Sequence, residues 1–256
     1  MTKILIVYFS GVGATKKVAE IIHSQVSKRC KTDIFSIEDN NSPGVCDYNA
    51  LIIGTPVHHA APAKAVMNYV DTIKQPKDEM PVFIYNTRGL CSLNTNRILA
   101  KKLREKNMVT VMDKEYKSLA SDGVLIFPFI KWLFQFENNL EMKICKDCTF
   151  FRGLAEQEKM QSYIPSFRLG SIINAPNKFL GQSVTRKIYL HKDRCTKCKK
   201  CIKQCPYNAF SISQENYPVF DSRMCENCYR CIHHCPMQAL SLNKRRIQKN
   251  YLCIKE

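Results

Sequence analysis

The sequence of 256 residues lacks the patterns that mark several large classes of protein. Its first residues, MTKILIVYF, have neither the long apolar region nor the small-residue cleavage site of a signal peptide. An apolar stretch over residues 123–136 is broken by proline and lysine and is too short to cross a bilayer. RNP, helix-turn-helix and zinc-finger patterns are missing, and neither G-x-G-x-x-G nor G-x4-G-K-[ST] occurs. We therefore expect a cytoplasmic protein with no membrane span, no nucleic-acid partner and no dinucleotide fingerprint.

Acidic residues are also scarce. The chain has 39 Lys and Arg against 22 Asp and Glu, which gives a formal net charge of +17. Residues 186–256 hold 15 basic and 5 acidic residues, a net charge of +10. A basic surface of this kind can steer acidic redox partners towards the protein. The alternatives are a solvated basic surface and a nucleic-acid-associated sensor that uses its metal sites structurally.

Two cysteine runs repeat near the end of the chain. Each follows the pattern C-x2-C-x2-C-x3-C-P, and the similarity continues after each proline, into residues 207–212 and 237–242. The cysteines are Cys195, Cys198, Cys201 and Cys205 in the first run, and Cys225, Cys228, Cys231 and Cys235 in the second. A disulfide framework would require an oxidising compartment, and a four-cysteine zinc site normally pairs two C-x2-C units across a long spacer. We therefore expect neither a disulfide framework nor a four-cysteine zinc site.

Residues 186–245 resemble the bacterial two-cluster ferredoxins, in which such runs hold 4Fe-4S clusters. In that family the first three cysteines of a run bind one cluster, and the fourth binds the other. The resemblance implies two crossed ligand sets. The first set is Cys195, Cys198, Cys201 and Cys235, and the second is Cys225, Cys228, Cys231 and Cys205.

Strands and helices alternate through the first half of the chain, which predicts an α/β fold with a doubly wound parallel sheet of five strands. The predicted strands are residues 3–9, 32–37, 49–53, 81–85 and 108–112. One predicted helix covers residues 62–73, with Pro62 in its first turn, and another covers residues 93–106. The last helix of the domain is expected within residues 153–163.

Ligands of such sheets bind beyond the carboxyl ends of the strands, between the first and third strands. The loop over residues 10–15 lies between a strand and a helix, where backbone N–H groups can bind a phosphate. The alternative is a tight turn that binds nothing. The loops after the third and fourth strands are expected to converge on the same place.

The first loop resembles the flavodoxin phosphate loop, [TS]-x-T-G-x-T, because Ser10, Gly13 and Thr15 occupy matching positions. Val12 departs from that pattern and removes one hydroxyl. The resemblance implies an FMN site. Its phosphate residues would be Ser10, Gly11, Val12, Gly13, Ala14 and Thr15, and its ring residues Thr55, Pro56, Val57, His58, Asn86, Thr87, Arg88 and Gly89.

Several residues near this site have more than one interpretation. His58 and His59 could contact the flavin or form polar loop surface, and Arg88 could bind the flavin ring, a phosphate or a surface carboxylate. We expect Cys91 to be a small buried thiol. We also expect residues 123–136 to pack in a core or between domains, with a flavin lid or a docking surface as alternatives. Cys145-x2-Cys148 offers too few ligands for a third metal site.

Together, the two halves resemble the flavodoxin/ferredoxin fusion proteins, sometimes called EFR-type ferredoxins. The expected domains are residues 1–163, flavodoxin-like and FMN-binding; residues 164–185, a connector; and residues 186–256, a small α+β two-cluster domain. The resemblance implies an electron carrier that relays single electrons between two 4Fe-4S clusters and FMN. The alternative is an FMN-dependent reductase of a quinone or nitro compound that its own ferredoxin domain supplies with electrons. An electron carrier is favoured over a substrate-specific enzyme, and no catalytic residue is assigned.

Overall fold

The computed structural model describes residues 2–39, 43–126, 128–155, 161–170 and 187–244. The first part forms a sheet domain. Its strands are β1 (Lys3–Tyr8), β2 (Lys31–Ser36), β3 (Ala50–His58), β4 (Ala61–Pro62), β5 (Met80–Arg88) and β6 (Met108–Lys117). Its helices are α1 (Ala14–Val26), α2 (Lys64–Thr72), α3 (Thr95–Arg104), α4 (Ser121–Ile126) and α5 (Leu140–Ala155). Short 3-10 turns cover Val45–Asp47 and Pro128–Leu133.

The long strands form a parallel sheet in the order β2-β1-β3-β5-β6, which confirms the predicted doubly wound fold. In the central register Ile6 lies between Ile34 of β2 and Ile52 of β3. Strand β4 adds a short antiparallel pair at the end of β3, where Val57 pairs with Pro62. The order changes direction between β1 and β3, so the carboxyl ends of these strands border the crevice expected to hold a ligand.

Helices cover both faces of the sheet, as the continuous apolar strands require. Successive side chains of β1 point to opposite faces: Ile4 and Ile6 pack with α1 and α5, whereas Leu5 and Val7 pack with α2 and α3. All four side chains are completely buried. The sheet is therefore a rigid support whose loops are fixed at their strand ends.

Several elements differ from the sequence prediction. Helix α5 begins at Leu140, earlier than the helix expected within residues 153–163, and residues 156–160 of that expected helix lie outside the described residues. The inner face of α5 packs against α1. It is formed by four residues at helical spacing, Leu140, Ile144, Cys148 and Phe151. Pro62 is not in a helix: it pairs in β4, and α2 begins only at Lys64. Strands β3, β5 and β6 also extend beyond their predicted ends.

Residues 187–244 form a cysteine-rich domain of two short antiparallel pairs and two single-turn helices. Its strands are β7 (Tyr189–Leu190), β8 (Phe210–Ile212), β9 (Pro218–Phe220) and β10 (Leu240–Ser241), and its helices are α6 (Lys200–Lys203) and α7 (Arg230–His233). Strand β7 pairs with β10, and β8 pairs with β9. Its small core includes Leu125 of α4, so a leucine from the sheet domain completes this core.

Residues 163–168 lie along the sheet domain. Tyr163 donates a hydrogen bond of 2.6 Å to Asp113, and Arg97 donates one of 2.7 Å to the carbonyl of Pro165. The domain limits themselves stay predictions, because much of the connector at 164–185 lies outside the described residues. Over the described part of the chain, no helix is long and apolar enough to cross a membrane.

Gly54 tests how tightly the sheet packs at the ligand end of β3. A methyl group added at this residue would lie 2.1 Å from the ring of buried Tyr85. Gly54→Ala should therefore lower the free energy of unfolding by about 1–3 kcal/mol through overpacking. Gly153→Ala is the matched control, because a methyl there meets nothing within 4 Å and should stabilise α5 by about 0.5–1 kcal/mol. Urea unfolding followed by circular dichroism measures both, and equal effects would contradict the packing account.

Candidate functional site

A cavity of about 280 Å³ lies at the carboxyl ends of β1, β3 and β5. The loops that follow these three strands border it on one side, and residues 119–126 with Phe134 border it on the other. Ten of the predicted flavin-site residues line the cavity. They are Ser10, Gly11, Val12, Ala14, Thr15, Pro56, Val57, His58, Thr87 and Gly89.

The first loop is built to present backbone N–H groups. Gly13 has a φ of 92°, which favours glycine, and it precedes α1 without any side-chain hydrogen bond to cap the helix. The hydroxyl of Ser10 is buried and has no protein partner, although it borders the cavity. The hydroxyls of Thr15 and Thr87 lie 2.7 Å apart and join the first loop to the third. The loop therefore offers unsatisfied donors to an anion.

Val12 has a structural reason to depart from the flavodoxin pattern. Its side chain is 6% exposed and packs with Val124 and Phe134 in a small apolar cluster. A threonine there would bring a hydroxyl into that contact. Val12 thus fastens the phosphate loop to the segment that closes the cavity.

Four predicted residues do not line the cavity. Gly13 shapes the loop, and the hydroxyl of Thr55 accepts a hydrogen bond from the backbone N–H of Ala63. The buried amide of Asn86 donates to Asn96. These residues support the loops from behind.

Arg88, the fourth, points to a carboxylate. Its Nε donates to Glu115 at 3.0 Å and its Nη1 to the carbonyl of Leu90 at 2.8 Å. Of the three interpretations of Arg88, the structure contains the ion pair. Cys91 differs from its prediction: it is exposed and lies at the rim of the cavity.

His58 is the titratable side chain most affected by the cavity. Its Nδ1 is buried without a protein partner, although the residue as a whole is only half-buried. Burial, and then the neighbouring charge of His59, lower the pKa of His58 to about 4, while Asp122 opposes the change. The imidazole is therefore neutral at pH 7 and offers a nitrogen to whatever fills the cavity.

The far wall of the cavity combines residues 119–122, which the sequence analysis did not single out, with part of residues 123–136, for which a flavin lid was the alternative to core packing. It is formed by Leu119, Ala120, Ser121, Asp122, Gly123, Ile126 and Phe134. The segment also packs between domains, as expected for residues 123–136, because Leu125 lies in the core of the cysteine-rich domain. The one feature of the sequence that marks this close packing is Gly123 within the apolar stretch. In the structure, a methyl group at this residue would lie 2.6 Å from the ring of Phe134.

The structure brings cysteines of both runs together. Cys195, Cys198, Cys201 and Cys235 line one small cavity. Burial, followed by the charges of Cys228, Cys225 and Cys205 and then of Cys201 in the first run, raises the pKa of Cys231. Burial, followed by Cys235, likewise raises the pKa of Cys201 to about 11. Buried neighbouring thiols are unfavourable as free thiolates, which a positively charged metal centre would reverse.

The described residues contain no group of three or more His, Cys, Asp or Glu side chains arranged around one metal ion. Thiolates that share a cubane bind different iron atoms, so they need not converge on one point. The all-sulfur donor sets fit iron–sulfur clusters.

The backbone repeats along with the cysteines. Lys197 and Asn227, Lys199 and Tyr229, and Asn208 and Gln238 form three pairs thirty residues apart, and all six have a positive φ. The N–H groups of Ala209 and Ala239 donate to the sulfur atoms of Cys205 and Cys235 at 3.3 and 3.2 Å. Such N–H···S bonds tune the potential of an iron–sulfur cluster.

One cysteine set lies beside the phosphate loop. A methyl group on Gly11 would lie 3.7 Å from Cβ of Cys228, so no other residue separates them. Near this contact Lys64 pairs with Glu226 at 3.1 Å. The cavity of the other set is bordered by residues of the cysteine-rich domain alone, and Cys198 is exposed.

The comparison with known families agrees with this geometry. A flavodoxin domain model matches residues 5–126, and a 4Fe-4S dicluster domain model matches residues 183–245. The chain joins a flavodoxin domain to a 4Fe-4S dicluster domain. The flavodoxin domain suggests FMN, the dicluster domain suggests iron–sulfur clusters, and the combination indicates a role in electron transfer.

Individual relatives resemble one part of the chain each. Pyruvate synthase subunit PorD of Pyrococcus horikoshii is 38% identical over 60 residues, which are 23% of this chain and 50% of that subunit. The chain thus spans about half the length of this relative. Flavodoxin 1 of Bacillus cereus is 15% identical over 59% of this chain and 98% of its own, with a TM-score of 0.42. The FMN-bound flavodoxin of Fusobacterium nucleatum is 15% identical over 60% and 98%, also with a TM-score of 0.42.

The neutral His58 predicts a pH dependence of stability. Its folded pKa of about 4 lies below the unfolded value of 6.5, so the unfolded chain binds more protons between these values. Stability is therefore lost as the pH falls through this window. Between pH 7 and 5.5, wild type should lose about 1 kcal/mol more unfolding free energy than His58→Gln. Urea unfolding at both pH values measures the difference, and parallel losses would show that His58 titrates normally.

Proposed function

We propose that the protein relays single electrons between two 4Fe-4S clusters and an FMN in the flavodoxin domain. The observation that carries the proposal is the nearness of Gly11 in the phosphate loop to Cys228 of the second cysteine set, where Arg230 also donates to the Gly11 carbonyl. A cluster bound there would lie next to the flavin site. Short separation is what electron transfer between two centres requires.

The flavodoxin cavity fits FMN through its unsatisfied polar atoms. Ser10 and the uncapped start of α1 would hold the phosphate, with the Thr15–Thr87 hydroxyl pair beside them. His58 would meet the ring as a neutral group. FMN supplies the ability to take two electrons one at a time, whereas an iron–sulfur cluster passes one.

The dicluster domain would hold one cluster on each crossed cysteine set. The first set, Cys195, Cys198, Cys201 and Cys235, would be distal to the flavin, and the second set, Cys225, Cys228, Cys231 and Cys205, proximal. Because the fourth cysteine of each set comes from the other run, neither site is complete until both runs have folded. The many free thiols fit a reducing cytoplasm.

The distal set also suggests where a redox partner binds. Exposed Cys198 lies among Lys197, Lys199 and Lys200, all of which are exposed and border the same cavity. A lysine rim around a redox centre attracts an acidic protein and raises its rate of encounter. We therefore propose an acidic redox protein as the partner, docked over the first cysteine set.

Single cysteine variants test the relay. Cys205→Ala removes a ligand from the proximal set and Cys235→Ala removes one from the distal set. Both should slow reduction of bound flavin by an acidic low-potential donor protein by at least about tenfold, because each interrupts a different step. Anaerobic stopped-flow absorbance of the flavin band measures the rate, and iron and sulfide analysis measures cluster content.

Exposed Cys46, outside both runs, provides the control, and Cys46→Ala should keep the wild-type rate and iron content. The relay proposal fails if Cys205→Ala loses iron and still reduces its flavin at full speed. It fails more completely if anaerobic wild-type protein contains zinc in place of iron and sulfide.

Charge reversal tests the docking surface. Lys199→Glu with Lys200→Glu should lower the second-order rate constant for reduction by an acidic ferredoxin about tenfold at low salt. The salt dependence of that rate constant should also flatten, because the attraction that salt screens has been removed. Lys74→Glu with Lys77→Glu, near Cys46, is the control of equal charge change. If both pairs act alike, only the net charge matters and the docking surface is wrong.

A further inference from the structure

Arg230 is a buried charge that links the two domains. It begins α7, between Cys228 and Cys231 of the proximal set, and it is 9% exposed. The corresponding residue of the first run, thirty positions earlier, is the exposed Lys200. The repeat has therefore diverged here, and the difference coincides with the contact to the flavodoxin domain.

All five N–H donors of the guanidinium are used. Nε donates to the carbonyl of Gly11 at 2.9 Å, and Nη2 donates to the carbonyl of Ser10 at 2.7 Å. Nη1 donates to the carbonyl of Gln204 at 3.0 Å. Glu38 accepts the remaining two bonds, from Nη1 at 2.7 Å and from Nη2 at 2.6 Å.

The two loop contacts determine which way the phosphate loop faces. The described chain has no cis peptide bond, and in a trans peptide the C=O and the following N–H point in opposite directions. When the carbonyls of Ser10 and Gly11 point at Arg230, the N–H groups of Gly11 and Val12 point away from it. Both of these residues line the flavin cavity.

We propose that Arg230 is a positioning residue for phosphate binding: by holding two loop carbonyls, it turns the following N–H groups towards the FMN phosphate. The inference rests on the proposed FMN site. It means that a residue of the dicluster domain sets how tightly the flavodoxin domain holds its cofactor. Arg230 itself contacts the loop carbonyls and does not line the flavin cavity.

Glu38 explains how the loop tolerates a buried cation. A lone buried guanidinium would compete for the phosphate or cost several kcal/mol in desolvation. The Glu38 carboxylate, bonded to two nitrogens, neutralises this charge locally. Arg230 therefore acts through the orientation of the loop peptides more than through its own charge.

The test compares a ligand that has the phosphate with one that lacks it. Dissociation constants for FMN and riboflavin are measured by flavin fluorescence quenching on full-length, cluster-loaded protein freed of flavin. Wild type should prefer FMN over riboflavin. Arg230→Lys keeps the positive charge but loses the planar guanidinium that bonds both loop carbonyls. Because the hydrogen bonds that fix the loop are lost, FMN should bind about tenfold more weakly. Riboflavin affinity should change less than about twofold.

Two further variants make the comparison selective. Arg223→Lys changes an exposed arginine of the same domain, 87% exposed at its side chain, and should leave both affinities unchanged. Glu38→Ala leaves the loop and Arg230 in place and removes the anchor of the guanidinium. It should reduce the FMN preference by a smaller factor, and it decides the question if Arg230→Lys fails to retain its clusters.

Each outcome has a distinct meaning. Equal weakening of FMN and riboflavin in Arg230→Lys would reduce Arg230 to a domain contact and overturn the inference. An unchanged preference for FMN in both Arg230→Lys and Glu38→Ala would overturn it too, and the proposed FMN site would stand. A wild-type protein that binds riboflavin as tightly as FMN would instead refute the phosphate site itself.

Discussion

The contact between the phosphate loop and the second cysteine loop is the constraint on which the two-domain structure depends. Gly11 lies close to Cys228, and the buried Arg230 beside them donates to two loop carbonyls, one carboxylate and one carbonyl of its own domain. A buried guanidinium is costly unless all of its donors are paired. Separating the domains would expose this network at once, so the two folds are held in one arrangement.

The segment after β6 strengthens the same junction from the other side. In helix α4, Val124 packs in the apolar cluster around Val12, and Leu125 packs in the core of the dicluster domain. Adjacent residues of one short helix thus pack in different places. Val12 packs against Phe134 at the position where the flavodoxin pattern has a threonine hydroxyl.

The sequence permitted good predictions wherever the determining interactions are local. Apolar runs such as Ile4–Val7 define the strands, and the spacing of the cysteine runs defines the dicluster domain. The far wall of the cavity and α5 were harder, because they pack against residues far away in the sequence, Val12 for the wall and α1 for α5. Nothing around Arg230 in the chain indicates that it binds Ser10 and Gly11, more than two hundred residues away.

The divergence of the two cysteine runs gives the duplicated dicluster domain two different surfaces. Positions that carry lysines 197, 199 and 200 in one copy carry Asn227, Tyr229 and Arg230 in the other. The first copy presents ammonium groups to water, whereas the second turns an aromatic ring and a guanidinium inwards. The two copies share one backbone repeat, and a few side chains decide which copy faces water and which one docks against the neighbouring domain.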